Sequence, residues 1–148
     1  MPKKEWFAEW FDSPYYHLLY NNRDASEARA FIQKLVEKLA LAPGASVLDL
    51  ACGKGRHAVT LAELGFKVLG ADLAPQSIAA ALEFPKMQPS LDLDFMVHDM
   101  REVIENQQFA AVFNLFTSFG YFDALADNHK VCASIGTMLA DRKSTRLN

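Results

Sequence analysis

Cysteine is scarce. The chain has two, Cys52 and Cys132, far apart and in no CxxC pair. This excludes a disulfide framework and structural-zinc spacing, and it suits a reducing compartment. The histidines His17, His98 and His129 share no ligand spacing, so no metal site is expected. Positive charge is not in excess either. Lys plus Arg number 15 against 18 Asp plus Glu, a formal charge of −3 over 148 residues, and no basic cluster occurs before the last few positions. The electrostatic footprint of a nucleic-acid binder is therefore missing, and a small molecule is the expected partner. No apolar run approaches the roughly 18 residues that a membrane span needs. The opening MPKKEWFAEWFD has two lysines but no apolar h-region, because Glu5, Glu9 and Asp12 interrupt it, so it does not read as a signal peptide. A cytoplasmic location is the expectation. Oligomeric state is not legible.

With 51% hydrophobic and 22% charged residues, the composition is that of an ordinary globular protein, and the length suits one domain. Three parts are expected. Residues 1–23 form an aromatic arm carrying Trp6, Phe7, Trp10, Phe11, Tyr15, Tyr16 and Tyr20, which reads either as a helix packed on the domain or as a lid. Residues 24–140 form the domain proper. Residues 141–148, polar and basic and without strand pattern, read as a non-native tail, and the natural protein is expected to continue with a further strand.

Periodicity divides the domain. Asp24 and Glu27 have capping-box spacing, and Ala28, Phe31, Ile32, Leu35, Val36 and Leu39 make one helical stripe that Pro43 and Gly44 stop. Apolar runs at Ser46–Leu50, Phe66–Ala71, Leu93–His98 and Phe109–Leu115 read as strands. His57–Leu64, Pro75–Leu82 and Asp123–Leu139 read as helices, and Phe84–Ser90, with two prolines, as a loop. Strands alternating with helices predict right-handed crossovers and a parallel sheet: a doubly wound, Rossmann-like α/β fold with helices on both faces.

The strongest motif is VLDLACGKGRHA, Val47 to Ala58, where a strand runs directly into Gly53-Lys54-Gly55 and then a helix. Glycine lets a ligand approach the backbone, and the helix N-terminus offers N–H groups and partial positive charge to an anion. Gly53-x-Gly55-x-x-Ala58 also fits the dinucleotide fingerprint of nicotinamide enzymes. The acids discriminate. Asp72 ends the second strand, 72 − 53 = 19 residues beyond Gly53, where a carboxylate can accept ribose hydroxyls in either cofactor class. Asp49 lies inside the first strand end, where nicotinamide enzymes usually carry only apolar residues. Asp99 ends the third strand, placed to accept from an adenine amino group. All three fall at the carboxyl ends of neighbouring strands, the edge where open α/β sheets bind ligands.

This combination resembles the class I S-adenosylmethionine-dependent methyltransferases. Motif I of that family is similar to Asp49-Leu-Ala-Cys-Gly53-Lys-Gly55-Arg, its second motif to Asp72, its third to Asp99-Met100, and the likeness runs from about Leu41 to Leu139. FDSPYYHLLYNNRD and FNLFTSFGYF look like a bacterial small-molecule branch, in which the aromatic arm folds over the cofactor. The resemblance implies that Asp49 and the Gly53–Gly55 backbone hold the methionine part, Asp72 the ribose, and Asp99 with the Met100 backbone the adenine. The expected cofactor-binding set is completed by Ala51, Cys52, Leu73 and Asn114, with Tyr20 and Arg23 from the arm. Two departures stand out. Ala51 occupies the position of the first glycine of the usual signature, and Ala110 that of an aspartate often found in motif IV.

Several residues carry two readings. Asn114 lines the methyl-transfer site or bonds the adjoining loop. Thr117, Ser118 and Tyr121 face substrate by position or are ordinary loop residues. Tyr16, Tyr20 and Arg23 close over the cofactor carboxylate, or are core tyrosines and a solvated arginine. His57 reads better as a satisfied histidine than as a base, and Cys52 better as a small packing residue than as a nucleophile. The expected activity is methyl transfer from S-adenosylmethionine to a small acceptor. It needs placement of reactants and exclusion of water, so no catalytic base is nominated. The alternatives are a nicotinamide-dependent oxidoreductase, which gives Asp99 no role, and a chain that binds cofactor without turnover.

Overall fold

Strand β1 (Ser46–Leu50) has Val47, Leu48 and Leu50 fully shielded from water although they point to opposite sides. A strand buried on both faces belongs inside a sheet covered twice. The computed structural model describes residues 5–14, 25–115 and 119–140. Their element order is α1 (Trp6–Phe11), α2 (Ala25–Leu39), β1, α3 (Arg56–Glu63), β2 (Lys67–Asp72), α4 (Pro75–Ala81), α5 (Glu83–Met87), β3 (Leu93–Val97), β4 (Ala111–Phe113) and α6 (Leu125–Met138). The strands lie in the order β3-β2-β1-β4, all parallel. The chain steps outward from β1 to β3 and then returns to the other side of β1. The point where strand order reverses is therefore between β1 and β4, where doubly wound sheets open a crevice.

Alternation along the strands builds two cores. Val47, Val68, Phe95 and Phe113 face Ile32 of α2, Ala58 and Leu61 of α3 and Ile78 of α4. Leu48, Leu50 and Ala71 face the other way, onto Ile104, Phe109 and Met138 of α6. The doubly wound α/β sandwich expected from the sequence is the fold observed. Among the described residues no helix is long and apolar enough to cross a membrane.

Local departures have local causes. Phe84–Ser90 does not form one loop: Glu83–Met87 is a short helix, with Pro85 in its first turn, where a missing N–H costs nothing. The stripe on α2 is narrower than its periodicity suggests. Ala28 and Ile32 are buried, whereas Phe31 and Leu39 are exposed, because α2 meets the body along one ridge against α3. Strand β4 is only three residues. Phe109 instead bridges Leu139 in parallel, and its N–H and C=O bond Met138 O and Ala140 N at 2.8 Å each. The Asp24 cap and the 141–148 tail lie outside the described residues.

One contact ties core to turn. The Phe95 ring from β3 lies where side chains at Gly55 and Gly70 would be. A Cβ built on Gly70 would approach it to 2.4 Å, and one on Gly55 to 2.5 Å. Gly70 has ordinary negative φ, so it is glycine for space alone. Gly70→Ala therefore overpacks the core and is expected to cost about 1–3 kcal/mol. Thermal unfolding would show it as a Tm lowered by several degrees, and an unchanged Tm would contradict this packing.

Candidate cofactor site at the carboxyl edge of the sheet

Parallel strands deliver their last residues to one edge, and the acids follow. Asp49 is the penultimate residue of β1, Asp72 ends β2, Asp99 follows β3 by two residues, and Asn114 follows β4 directly. The strand register sets Asp49 beside Gly70 and Phe113, and Asp72 beside Val97.

The turn after β1 is strained in alternation. Ala51, Gly53 and Gly55 have φ of 61°, 57° and 85°. In an alanine the left-handed region costs about 1–2 kcal/mol, so the departure at Ala51 preserves the turn's shape at some expense of energy. The turn stays in place because Cys52 N donates to Ala71 O (3.0 Å) and Gly55 N to Cys52 O (3.1 Å). A Cβ on Gly53 would meet nothing within 4 Å, so the backbone there borders open space.

Asp72 closes the turn from the next strand. Its Oδ2 accepts from Gly53 N (2.8 Å) and its Oδ1 from Ala74 N (2.9 Å), which joins the glycine turn to the start of α4. Asp49 is the costly group. It is 2% exposed, and its Oδ2 has no hydrogen-bond partner among the described residues. Burial, reinforced by the Asp72 charge, pushes its carboxyl up from 3.8 to about 7, and a hydrogen bond from the Ala58 backbone only partly opposes this. A buried acceptor next to a second carboxylate is a socket for a cation, such as the ammonium of an amino acid. The residues therefore fit an adenosyl ligand that carries an amino-acid end: an acid with one oxygen unpartnered among the described residues, a glycine turn open at Gly53, and an acid at the β2 tip.

Cys52 is buried, with Sγ 3.5 Å from Gly53 O; burial, then the charges of Asp49 and Asp72, push its thiol well up. It is a packing residue here, not a thiolate. Asn114 Nδ2 donates to Leu50 O at 3.3 Å, so it ties β4 to β1 across the reversal point. Leu73, Met100 and Tyr121 are half-buried and pack on a third apolar cluster of Phe7, Phe122 and Val131. His57 is half-buried in the first turn of α3. Tyr16, Tyr20, Arg23, Thr117 and Ser118 lie outside the described residues.

At Asp99 the structure adds what the sequence did not disclose. Both carboxylate oxygens are held by Arg101, through its N–H, Nε and Nη2 at 2.6–3.1 Å. Burial works to raise this carboxyl, but the Arg101 hydrogen bonds and charge, helped by His98, outweigh it and hold it low. Asp99, expected to accept from an adenine amino group, also has its oxygens held by a guanidinium. The Asp-x-Arg spacing was the available signal, whereas Glu5, which also binds Arg101, lies 96 residues away and gave none. Among the described residues no group of His, Cys, Asp and Glu could hold a metal.

The methyltransferase-domain family matches residues 47–141, nearly two thirds of the chain. The chain belongs to the methyltransferase-domain family. YqeM of Bacillus subtilis, provisionally named a methyltransferase, is 38% identical over 82 residues, 55% of this chain and 32% of that protein. A S-adenosylmethionine-dependent methyltransferase from Clostridium acetobutylicum shares 23% identity and the fold, with a TM-score of 0.71 over 86% of this chain and 51% of that one. CalS10 from Micromonospora echinaspora, an amino pentose methyltransferase solved with S-adenosylmethionine bound, shares 27% identity at a TM-score of 0.66, covering 86% and 52% of the two chains. This methyltransferase-domain chain thus spans about half the length of those solved relatives and a third of YqeM. Family membership leaves the nicotinamide alternative without support.

For the unliganded chain the sign of the Asp49 effect is determined. An acid raised from 3.8 to about 7 favours folding at low pH, and that contribution is lost as pH climbs through this window. Asp49→Asn removes the slope. Denaturant melts are expected to show the substituted chain gaining on the original between about pH 4 and 7, with a constant difference above. Parallel pH curves would contradict the assignment.

Proposed function

We propose that the chain binds S-adenosylmethionine at this edge and serves methyl transfer to a small-molecule acceptor. The observation that carries the reading is the buried oxygen of Asp49, without a partner among the described residues, beside a glycine turn closed by Asp72. Asp49 takes the ammonium of the methionine part. Ala51, Cys52, Gly53 and Gly55 form the backbone floor under it. Asp72 accepts the ribose hydroxyls with the lone pairs its two turn bonds leave over. Asp99, Met100 and Leu73 border the adenine, and Asn114 stands at the crevice between β1 and β4, the acceptor side. Tyr20 and Arg23 complete the set from the arm, residues 1–23 being a separate segment from the 24–140 domain.

The bound cofactor supplies a methyl group on a cationic sulfur, whose departure leaves a neutral thioether. The chain's own residues bind, orient and exclude water, and positioning of this kind contributes roughly 7–11 kcal/mol to such reactions. No acid or base is assigned. The small acceptor is supported by CalS10, an amino pentose methyltransferase, and by KedS8 of Streptoalloteichus, a sugar N-methyltransferase at 28% identity. The formal charge of −3 points the same way.

Calorimetry with S-adenosylhomocysteine tests the reading without a known acceptor. Binding is expected, with none for NADH. Asp72→Ala should weaken it about ten- to hundredfold, since a hydrogen bond to a charged group is worth about 1.5–3 kcal/mol. Tight NADH binding without the other ligand would overturn the proposal. Because the ammonium needs an ionised Asp49, affinity should fall by up to about tenfold per pH unit below the Asp49 value, and Asp49→Asn should flatten that profile. A flat profile in the original chain would remove Asp49 from the site.

A further inference from the structure

Arg101 stands where three elements meet. It follows Asp99 by two residues, beyond the tip of β3. One edge of its guanidinium grips Asp99, Nη2 to Oδ2 at 2.6 Å and Nε to both oxygens. A second edge grips Glu5, immediately before α1, with Nη1 to Oε1 at 2.9 Å and Nη2 to Oε2 at 3.0 Å. Nη1 also reaches Asp127 on α6 at 3.4 Å. The plane of the group lies over Phe122, 4.4 Å from the ring centroid.

Isolated surface ion pairs contribute little, but this one is not isolated. The Arg101 and Asp99 side chains are each 20% exposed, and both carboxylate contacts are bidentate, the geometry that makes arginine pairs strong. The arm is tied to the same spot independently, because Phe7 of α1 meets Phe122 edge-on at 5.1 Å. Asp12, just past α1, accepts from Gln76 N at the start of α4, the helix whose first turn Asp72 also holds. Three acids share one guanidinium, and Lys130 pairs with Asp127 beside them.

We propose that Arg101 is a positioning residue of the adenine subsite, coupling cofactor binding at Asp99 to docking of the α1 arm through Glu5. The inference rests on the reading that Asp99 borders adenine. Arg101 holds the Asp99 carboxylate in one orientation, and the same fork fixes the arm beside it. A ligand that settles against Asp99 therefore settles against an arm already in place.

The chain's two tryptophans, Trp6 and Trp10, both lie on α1, so intrinsic fluorescence reports the arm. S-adenosylhomocysteine titrated into the original chain should change this emission with the midpoint that calorimetry gives. Arg101→Ala should weaken binding about tenfold and abolish the emission change. Glu5→Gln should weaken it by roughly threefold, and the double substitution should be no worse than Arg101→Ala alone, the signature of one coupled unit. Arg101→Lys should restore part of the affinity. Glu5 is half-exposed, so Glu5→Gln keeps the test decisive even if Arg101→Ala unfolds. The proposal is overturned if Arg101→Ala binds within twofold of the original with the same emission change. It is equally overturned if Glu5→Gln leaves both readouts intact, or if the two single effects multiply. If the unsubstituted chain binds no S-adenosylhomocysteine, it is the reading of the site that fails.

Discussion

A phenyl ring fills the space that two missing side chains leave, and the site depends on it. Phe95 lies against Gly55 in the turn and Gly70 in β2, closer to both than any Cβ would allow. Because neither residue has a Cβ, the turn can descend onto the sheet until Gly53 N reaches Asp72. The ring also lies in the larger core, with Val68, Ile78 and Ala81. The cradle is thus an extension of that core rather than a loop laid over it. A rigid support of this kind keeps a binding geometry within the few tenths of an ångström that recognition needs.

Against that rigid support the protein holds unfavourable terms. Asp49 is buried with one oxygen unpaired among the described residues, Ala51 sits in left-handed backbone, and Gly55 begins α3 without a side-chain cap. None of these helps folding. Each is the kind of local conflict that packing elsewhere tolerates at a functional site. The two acids also differ in a useful way. Asp72 is satisfied by backbone N–H groups, whereas Asp49, lacking such support for its second oxygen, is poised near neutral pH.

The arm extends the carboxyl edge beyond the sheet. Glu5, Phe7 and Asp12 reach Arg101, Phe122 and the start of α4 by three different kinds of contact: a charge fork, crossed rings and an N-terminal hydrogen bond. Of the two readings for the aromatic arm, α1 is a helix packed on the domain over its described length, and the packing is on the ligand edge. A segment docked there is part of the rim even before any ligand arrives.

Much of this protein was legible in order along the chain. The βαβ alternation, the glycine turn, and the acids at Asp49, Asp72 and Asp99 are local patterns, because strand period, turn chemistry and strand-end position are properties of a few consecutive residues. Parallel strands then carry those ends to one edge without further instruction, which is why the acids could be placed together. What stayed hidden depends on residues far apart in the chain. The narrowed stripe of α2 was set by what surrounds it, against its own periodicity. Gly70 gave no sign that Phe95 would need its space. Nothing near Asp99 announced Glu5, and nothing in Asn114 said that it would bond Leu50 O. Such pairings exist only once the sheet is assembled, since it is the packed sheet and helices, not sequence proximity, that bring these side chains within reach.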